Sequence, residues 1–295
     1  MPRKLGQHFL KDRKKLEKIA AALEIGPRDT IIEIGPGHGE LTKYILSAKP
    51  RRVIVEERDP QLTSSLKENF QLSLQPRYSG VEGIKVDSKP GAKSQFTKLE
   101  IIEGDALKIL PKIILSYLLP TTGYKLVGNI PYYITGYLLR KISELEKKPR
   151  LIVFTIQKEV AERICASPPK MNLLAASVQF WGMPKIVGYI SKKSFRPQPK
   201  VDSAIIKITL SPQPRHGGVE GIRIGRTMGA EEYYKFIKIL FKQPRKTILN
   251  NLRAGFKLPQ GEIEERLKML RISPTSRPAN LSMADINNLS ANFPQ

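Results

Sequence analysis

Along the first 210 residues, apolar and polar positions alternate between the pattern of short strands and the spacing of helices. Short runs rich in Ile, Val and Leu alternate with stretches whose apolar residues recur at helical spacing, as Leu62, Leu66 and Phe70 do. Strands are predicted at residues 31–34, 53–57, 99–103, 125–129, 151–156, 186–190 and 204–209. This alternation is typical of a parallel sheet covered on both faces by helices. The last two strands lack a full helix between them, which predicts an antiparallel pair that completes the sheet.

The pattern changes near residue 211. Prolines and glycines crowd residues 211–230, and from there to the last residue the chain reads as helices separated by prolines. The sequence therefore predicts an α/β domain at residues 1–210, a flexible linker or insertion at 211–230 and a small all-α domain at 231–295.

Composition narrows the class of protein. The chain has 295 residues, and 50 Lys and Arg against 27 Asp and Glu give a formal charge of +23. Such an excess is typical of proteins that bind a polyanion, nucleic acid first and a membrane surface second, although a basic host proteome would also produce it. One cysteine excludes an internal disulfide framework, and three scattered histidines predict no metal site. No apolar run has the length of a membrane span or a signal peptide, so we expect a cytoplasmic protein without a membrane partner.

One internal repeat stands apart from this organisation. Residues 75–86 recur, with substitutions, at residues 213–224, and two copies are too few for a solenoid or propeller. Both lie in predicted connections, which tolerate insertion best. We interpret them as one mobile coding element inserted twice and kept as surface loop, so deletion of residues 75–86 should leave catalysis nearly intact. The alternative is a pair of basic flaps that touch a nucleic acid.

The junction after the first strand carries three glycines, Gly35, Gly37 and Gly39. Glycines at such a turn let the backbone approach a ligand and present the N-terminus of the following helix to it. The dinucleotide fingerprint is incomplete because position 40 is Glu, and the Gly-Lys-Ser/Thr of a phosphate loop is absent. A tight turn without a ligand therefore stays an alternative.

Acidic residues follow at the ends of the next two strands. Glu56 and Glu57 lie close to the position where this fold class binds ribose hydroxyls, and a carboxylate can accept from both hydroxyls at once. Asp105, followed by Ala106, is placed to accept from an adenine amine. The alternative is a set of solvated charges at strand ends. The glycine turn and the acids after the next two strands form three sites at the ends of successive strands. Because none of them has the residues that bind a phosphate group, they fit an adenosine-bearing cofactor, of which S-adenosylmethionine is the simplest.

The fourth strand ends in Asn129-Ile130-Pro131-Tyr132. The exocyclic amine of adenine is a poor nucleophile, and two acceptors aimed at its N–H groups would draw it towards a tetrahedral nitrogen. The Asn129 side-chain oxygen and the Ile130 carbonyl can supply them, while Pro131 keeps Ile130 extended and removes a competing N–H. Tyr132 can stack on the base, which is worth about 1–3 kcal/mol. Alone, the motif would also fit a structural turn with core tyrosines.

Several blocks in order resemble one known family. They are residues 6–10, 33–39, 57–60, 105–107, 128–133, 157–163 and 194–203, followed by weaker matches at 241–252 and 277–282. Together they are similar to the small-subunit ribosomal RNA adenine dimethyltransferases, with an interruption at residues 71–98 that marks a probable insertion. The resemblance implies a class I, Rossmann-like methyltransferase domain with a seven-stranded, mostly parallel sheet. It implies dimethylation of two adjacent adenosines near the 3′ end of small-subunit ribosomal RNA during ribosome assembly, by a monomer.

The resemblance also implies roles for single residues. Glu57 takes the ribose, with Glu56 as its rival, and Asp105 takes the adenine. The implied cofactor contacts are His8, Leu10, Gly35, Gly37, Gly39, Glu57, Asp105, Ala106 and Asn129. The implied catalytic residues are Asn129, Ile130, Pro131 and Tyr132, with Phe154 as a second aromatic next to the target base. For Phe154, an ordinary core position is the alternative.

Departures from the family pattern lie at residues 170–174 and 243–246, and they bear on RNA docking rather than on methyl transfer. Three other functions stay open: a large-subunit ribosomal RNA methyltransferase of the antibiotic-resistance type, a non-catalytic RNA-binding assembly factor, and a DNA adenine methyltransferase. The intact Asn129–Tyr132 motif argues against the second. The third would need a sequence-reading domain, of which the sequence shows no sign.

Overall fold

A computed structural model describes residues 7–70, 82–84, 97–116, 123–211 and 229–293. The strands are β1 (Phe9–Leu10), β2 (Thr30–Ile34), β3 (Arg52–Glu57), β4 (Glu82–Ile84), β5 (Thr97–Glu103), β6 (Lys125–Asn129), β7 (Leu151–Gln157), β8 (Gly182–Ile190), β9 (Phe195–Arg196) and β10 (Ser203–Leu210). The helices are α1 (Arg13–Ala22), α2 (Glu40–Ser47), α3 (Pro60–Asn69), α4 (Ala106–Ser116), α5 (Thr135–Glu144), α6 (Lys158–Ile164), α7 (Leu173–Gln179), α8 (Ala230–Leu240), α9 (Ile248–Gly255), α10 (Gln260–Met269) and α11 (Met283–Asn292). Single 3₁₀ turns cover Tyr132–Ile134, Lys192–Ser194 and Pro278–Asn280.

The large sheet has the order β4-β5-β3-β2-β6-β7-β10-β8. Strands β5, β3, β2, β6 and β7 run parallel to one another, while β10 is antiparallel to β7. These strands with β8 form the predicted α/β sheet of seven mostly parallel strands, which is confirmed. The short β4 adds an eighth strand at the edge, antiparallel to β5.

The position of β2 in this order places a crevice above the sheet. The chain crosses from β2 to β3 and β5 on one side and returns to β6 on the other. Ligands of open α/β sheets bind at such a reversal, beyond the carboxyl ends of the strands. Every residue of β2 is buried, so this strand lies in the centre of the domain and its C-terminal turn opens into the crevice.

Strand β4 is the described part of the first repeat copy. The rest of that copy and the whole of the second, residues 213–224, lie outside the described residues. A strand added at the edge leaves the order of the other seven unchanged, as expected of an inserted segment. The interpretation of the two copies as insertions stays a prediction.

The described residues divide into two compact units. One comprises the residues up to Ala161 with Lys185–Thr209, and the other comprises Glu162–Pro184 with the residues from Leu210 onward. The boundary between Thr209 and Leu210 lies beside the domain boundary expected at 210. Residues 162–184, however, were expected in the first domain. Helix α7 explains the difference: its buried alanines share a core with α8 and the other C-terminal helices, and the Tyr233 hydroxyl donates to the Ala176 carbonyl at 3.2 Å.

A second, two-stranded sheet was not predicted from the sequence. In it β1 pairs antiparallel with β9, which places Phe9 opposite Arg196. The His8 Nδ1 atom lies 2.8 Å from the Pro197 carbonyl oxygen, and the Lys11 amide donates to the Ser194 carbonyl at 2.9 Å. These contacts tie the N-terminal segment to the loop before β10, across the open end of the large sheet.

Glu33 is an ionisable group inside the core. Its side chain lies in β2, is 1% exposed, and accepts a hydrogen bond of 2.7 Å from the Thr42 hydroxyl of α2. Burial raises the pKa of Glu33 to about 8, with smaller contributions from the negative charges of Glu40 and Glu57, while the Thr42 hydrogen bond opposes the rise. Glu33 is therefore a neutral carboxyl at pH 7, and it links β2 to the helix that follows the glycine turn.

The titration of Glu33 should make the fold less stable as pH rises. The folded state keeps the proton up to about pH 8, while the unfolded chain releases it near 4.5, so stability is full below about pH 4.5 and declines towards pH 8. The decline should amount to a few kcal/mol, since each unit of difference in pKa corresponds to about 1.4 kcal/mol. Urea unfolding of Glu33→Gln at several pH values should show a flatter profile than the wild type, whereas the exposed Glu68→Gln should match it. Equal slopes in Glu33→Gln and the wild type would contradict the assignment.

Candidate active site

The glycine turn after β2 has a backbone that L-residues with side chains rarely adopt. Gly35, Gly37 and Gly39 have φ values of +64°, +62° and +83°. A Cβ at Gly37 would come within 2.7 Å of the Phe9 ring, and one at Gly39 within 2.8 Å of Phe70. Gly35 and Gly37 line a cavity at the carboxyl ends of the strands, whereas Gly39 begins α2 and packs against α3. Gly39 thus shapes the turn without lining the cavity.

Glu57, the last residue of β3, lies across from this turn. One carboxylate oxygen accepts from the Gly37 amide at 3.1 Å, and the other accepts from the amides of Arg58 and Asp59 at 2.9 and 3.0 Å. Burial raises the pKa of Glu57, and the three backbone hydrogen bonds act in the opposite direction. A carboxylate has about four acceptor positions, so one remains for a ligand on the cavity side.

Asp105 and Ala106 follow β5 on the next edge of the cavity. An Asp105 carboxylate oxygen accepts from the Leu107 amide at 3.0 Å, which starts α4, and the other oxygen lies 3.8 Å from the Arg58 guanidinium. Acidic side chains from two neighbouring strands therefore meet at one wall of the cavity, as the sequence predicted.

Asn129 ends β6 on the opposite wall. Its side-chain NH₂ group donates a 2.6 Å hydrogen bond to the backbone carbonyl of His8. Since that bond uses the nitrogen side of the amide, the Oδ1 atom is the side that can accept from a ligand. The Ile130 amide donates to the Thr155 carbonyl of β7 at 3.0 Å, which fixes the backbone at the start of the motif.

Tyr132 closes the motif as a half-buried ring. Its hydroxyl lies 2.8 Å from the Ser203 hydroxyl of β10, and its ring centroid lies 6.1 Å from that of His8. Burial raises the pKa of Tyr132, so the phenol stays protonated at neutral pH. Pro131 precedes it with φ −54° and ψ 130°, an extended conformation that starts the 3₁₀ turn.

The cavity brings together most of the predicted site. His8, Gly35, Gly37, Glu57, Asp105, Ala106, Asn129, Ile130, Pro131 and Tyr132 all line it. Leu10 does not: it is 5% exposed and belongs to the core beneath the N-terminal segment. Phe154 does not line it either: its side chain is fully buried in the centre of β7, opposite Gly128 and Ile206, and its role beside the target base stays a prediction. A Phe inside a strand covered on both faces packs in the core, which was the alternative.

Other lining residues were missed by the sequence reasoning. They are Gln7, Phe9, Ile34, Arg58, Leu107, Tyr133 and Ile134. All of them adjoin a motif residue, so the motifs identified the right segments without their full extent. Glu56 also lines the cavity, although it was predicted only as the rival of Glu57.

Metal sites and membrane-spanning helices are two further features that bear on function. Within the described ranges, no group of three His, Cys, Asp or Glu side chains is arranged to hold a metal ion. The helices of those ranges include none with the length and apolar character needed to cross a membrane.

Sequence comparison finds relatives over nearly the whole chain. A family model described as ribosomal RNA adenine dimethylase matches residues 1–294. A ribosomal RNA small subunit methyltransferase A of Dehalococcoides mccartyi is 35% identical over 281 residues, which cover 95% of this chain and 84% of the relative. Its namesake of Moorella thermoacetica is 32% identical over 98% of this chain and 92% of the relative.

Solved structures agree with the fold. A dimethyladenosine transferase from Plasmodium falciparum superposes with a TM-score of 0.71 at 25% identity over 95% of each chain. The 23S rRNA methyltransferase ErmE has a TM-score of 0.66 at 22% identity over 97% of this chain and 100% of its own, a likeness in fold alone. With a family model spanning residues 1–294 and relatives above 30% identity along both chains, this chain belongs to the ribosomal RNA adenine dimethylase family.

Proposed function

We propose that this protein uses S-adenosylmethionine to dimethylate the exocyclic amines of two adjacent adenosines near the 3′ end of small-subunit ribosomal RNA, as a step in ribosome assembly. Its family supports dimethylation of adenine in ribosomal RNA. The name shared by the relatives, small subunit methyltransferase A, supports the small subunit as the source of the RNA. We also propose that it acts as a monomer in the cytoplasm.

The orientation of the Asn129 amide is the observation that carries the reaction. Its nitrogen is held by the His8 carbonyl, so Oδ1 accepts one N–H of the target amine. The Ile130 carbonyl accepts the other, because Pro131 follows it and brings no N–H of its own. Two acceptors on the two N–H groups direct the nitrogen lone pair out of the plane of the base. Tyr132, held through its hydroxyl by Ser203, supplies the stacking face for the ring.

The residues of the cavity fit S-adenosylmethionine. Three carboxyl side chains, Glu56, Glu57 and Asp105, line it, and Arg58 is the one lysine or arginine among the described lining residues. Even with Glu56 protonated, two acidic groups against one basic group suit a cationic ligand. The buried Oε1 atom of Glu56 has no hydrogen-bond partner in the described part of the chain, which suits a ligand rich in donors. When bound, S-adenosylmethionine supplies an electrophilic methyl group on a positively charged sulfur.

Each segment of the cavity has a proposed role towards that cofactor. Glu57 accepts from the ribose hydroxyls with the acceptor position that its backbone hydrogen bonds leave open. Asp105 accepts from the adenine amine, and Ala106 forms the adjoining wall. Gly35 and Gly37 let the backbone approach the methionine part closely, and His8 covers it from the N-terminal segment.

Basic residues are proposed to dock the RNA. The set comprises Arg3, Lys4, Lys11, Arg13, Lys14, Lys15, Lys18, Lys242, Arg245, Lys246 and Arg253, of which the first two lie outside the described residues. Lys11 forms an ion pair with Glu40, while Lys242, Arg245, Lys246 and Arg253 are exposed at the ends of α8 and α9. Lysine and arginine are absent from the proposed acceptor pair, so the positive charge serves binding rather than chemistry.

The substrate is tested with purified ribosomal subunits from a strain that lacks the modification. Labelled S-adenosylmethionine should transfer about four methyl groups to each small subunit and none to the large subunit, since two adenosines take two methyl groups each. Labelling of large-subunit RNA would instead establish the antibiotic-resistance type of activity. Absence of transfer to both subunits and to their free RNA would support a non-catalytic assembly factor.

Replacement of Asn129 by Ala should lower kcat by about a hundredfold or more and leave RNA binding nearly unchanged. The variant removes one of two fixed polar contacts to the reacting group, a loss of the size seen when one preorganised hydrogen bond at a reacting centre is deleted. Single-turnover methyl transfer measures it. Asn129→Asp separates two explanations, because it keeps an acceptor oxygen and loses the donor to His8. It should be nearly as impaired as Asn129→Ala.

The exposed Asn69 of α3 provides a matched control. Asn69→Ala should retain wild-type activity, and thermal unfolding should show that all three variants are folded. Full activity in Asn129→Asp would mean that the amide orientation has no part in catalysis.

RNA affinity should fall steeply with salt. Each phosphate contact releases counterions, so a plot of log affinity against log salt concentration should have a slope of roughly −3 or steeper. Arg245→Ala and Lys246→Ala should each make that slope shallower by about one unit, while Lys67→Ala on α3 should not. Fluorescence anisotropy with an RNA fragment that contains both adenosines gives the slopes. A flat salt dependence would exclude these basic residues as the groups that dock the RNA.

A further inference from the structure

Glu56 is the one carboxyl of the cavity without a part in the function proposed above. Its side chain is 3% exposed, lines the cavity, and has an Oε1 atom that no hydrogen-bond donor of the described residues reaches. Buried polar atoms in folded proteins almost always have a partner. An unpartnered oxygen at a cavity wall therefore indicates that the bound molecule brings the donor.

The neighbours of Glu56 define which part of the ligand it meets. Consecutive strand residues point to opposite faces, so Glu56 and Glu57 diverge at the end of β3. Glu57 is bound by the amide of Gly37 in the glycine turn, whereas Glu56 faces Asp105 and a hydrogen bond from the Ala106 amide. Glu56 thus lies on the wall where adenine is proposed to bind, and Glu57 lies on the wall of the ribose.

The charged groups next to Glu56 decide whether its carboxyl keeps a proton. Burial, followed by the negative charges of Glu57 and Asp105, raises the pKa of Glu56 to about 8, while Arg58 and the Ala106 amide oppose the rise. Glu56 is therefore a neutral carboxyl at pH 7. The proton belongs on Oε2, the oxygen beside the Ala106 amide, which leaves Oε1 as the carbonyl acceptor. Glu56 then offers an acceptor oxygen without adding a charge to a wall that already holds two acidic groups.

We propose that Glu56 is a second adenine-reading residue of the cofactor site, whose Oε1 accepts a hydrogen bond from the exocyclic amine of the cofactor's adenine. This inference rests on the proposed function and deepens it. The amine has two N–H groups, so Asp105 and Glu56 can each accept one. A base with a carbonyl oxygen at that position, such as hypoxanthine, would place an acceptor against Oε1 and be rejected.

The test compares two ligands that differ at position 6 of the base and in the proton that hypoxanthine carries on the adjacent N1. S-adenosylhomocysteine and S-inosylhomocysteine are titrated into the full-length protein by calorimetry at pH 7. The wild type should prefer the adenosyl ligand by at least about a hundredfold. Glu56→Ala should weaken binding of the adenosyl ligand about tenfold and of the inosyl ligand by less than about threefold, so the preference shrinks. Glu56→Gln, which keeps an acceptor oxygen, should restore most of the adenosyl affinity.

Glu103, exposed at the end of β5 and outside the cavity lining, serves as the control. Glu103→Ala should bind both ligands as the wild type does. Equal losses for the two ligands in Glu56→Ala, or an unchanged preference, would overturn the role of Glu56 and leave the proposed function intact. Failure of the wild type to bind S-adenosylhomocysteine would overturn the proposed cofactor and, with it, this inference. Comparing the two ligands in one variant also separates a lost contact from a general weakening of the fold.

Discussion

The hydrogen bond between the Asn129 side chain and the His8 carbonyl joins the two segments from which the cavity is built. Asn129 ends a central strand whose position the sheet fixes. His8 belongs to an N-terminal segment that holds its place through β1 pairing with β9 and through its ring contact with Pro197. The orientation of one amide therefore depends on His8, 121 positions earlier in the chain, and His8 is itself held by Pro197, 189 positions after it. Without that pairing the NH₂ group would turn freely, and the acceptor side of Asn129 would not be fixed.

Burial and electrostatics act against each other along the acidic wall. Glu56 and Glu57 are almost fully buried, and Asp105 lies beside them. The cost of burying a charge is large unless it is paired, so these groups respond by binding protons or backbone amides. Glu57 uses three amide N–H groups, whereas Glu56 has no equivalent set and binds a proton instead. Two adjacent glutamates thus present different chemistry to one cavity because their backbone neighbours differ.

Much of the fold could be predicted from the sequence because its strands are short apolar runs with clear ends. The predicted strand at 125–129 is β6, and the predicted strand at 31–34 lies within β2. Periodicity does not show which core a helix joins, so α7 was expected in the first domain although its alanines pack with the C-terminal helices. Nor could the β1–β9 pairing be predicted, since two-residue strands carry no periodic signal.

The site was predictable to the extent that its chemistry lies in contiguous motifs. Residues 129–132 line the cavity as a block. Phe154 was given its role from its place near a motif, without knowledge of which way the strand faces, and its buried side chain lies outside the cavity lining. The resemblance selected Glu57, while the neighbouring Glu56 carries a buried oxygen with no hydrogen-bond partner among the described residues. Residue type alone does not give the orientation of a side chain.

Charge is distributed differently in the cavity and on the surface, and this explains why an amide occupies position 129. The chain as a whole carries +23, and candidate docking residues such as Arg245 and Lys246 are exposed, whereas the lining holds three acidic side chains. A carboxylate in place of Asn129 would add a fourth acid to the lining and would repel the His8 carbonyl that orients it. An amide supplies the same acceptor oxygen without charge, and its NH₂ group is the anchor that holds the oxygen in place. One requirement thus explains the three placements: each charge lies where a partner compensates it. The acceptors at the reacting amine are neutral, the acidic side chains surround the cofactor, and the basic side chains face the RNA.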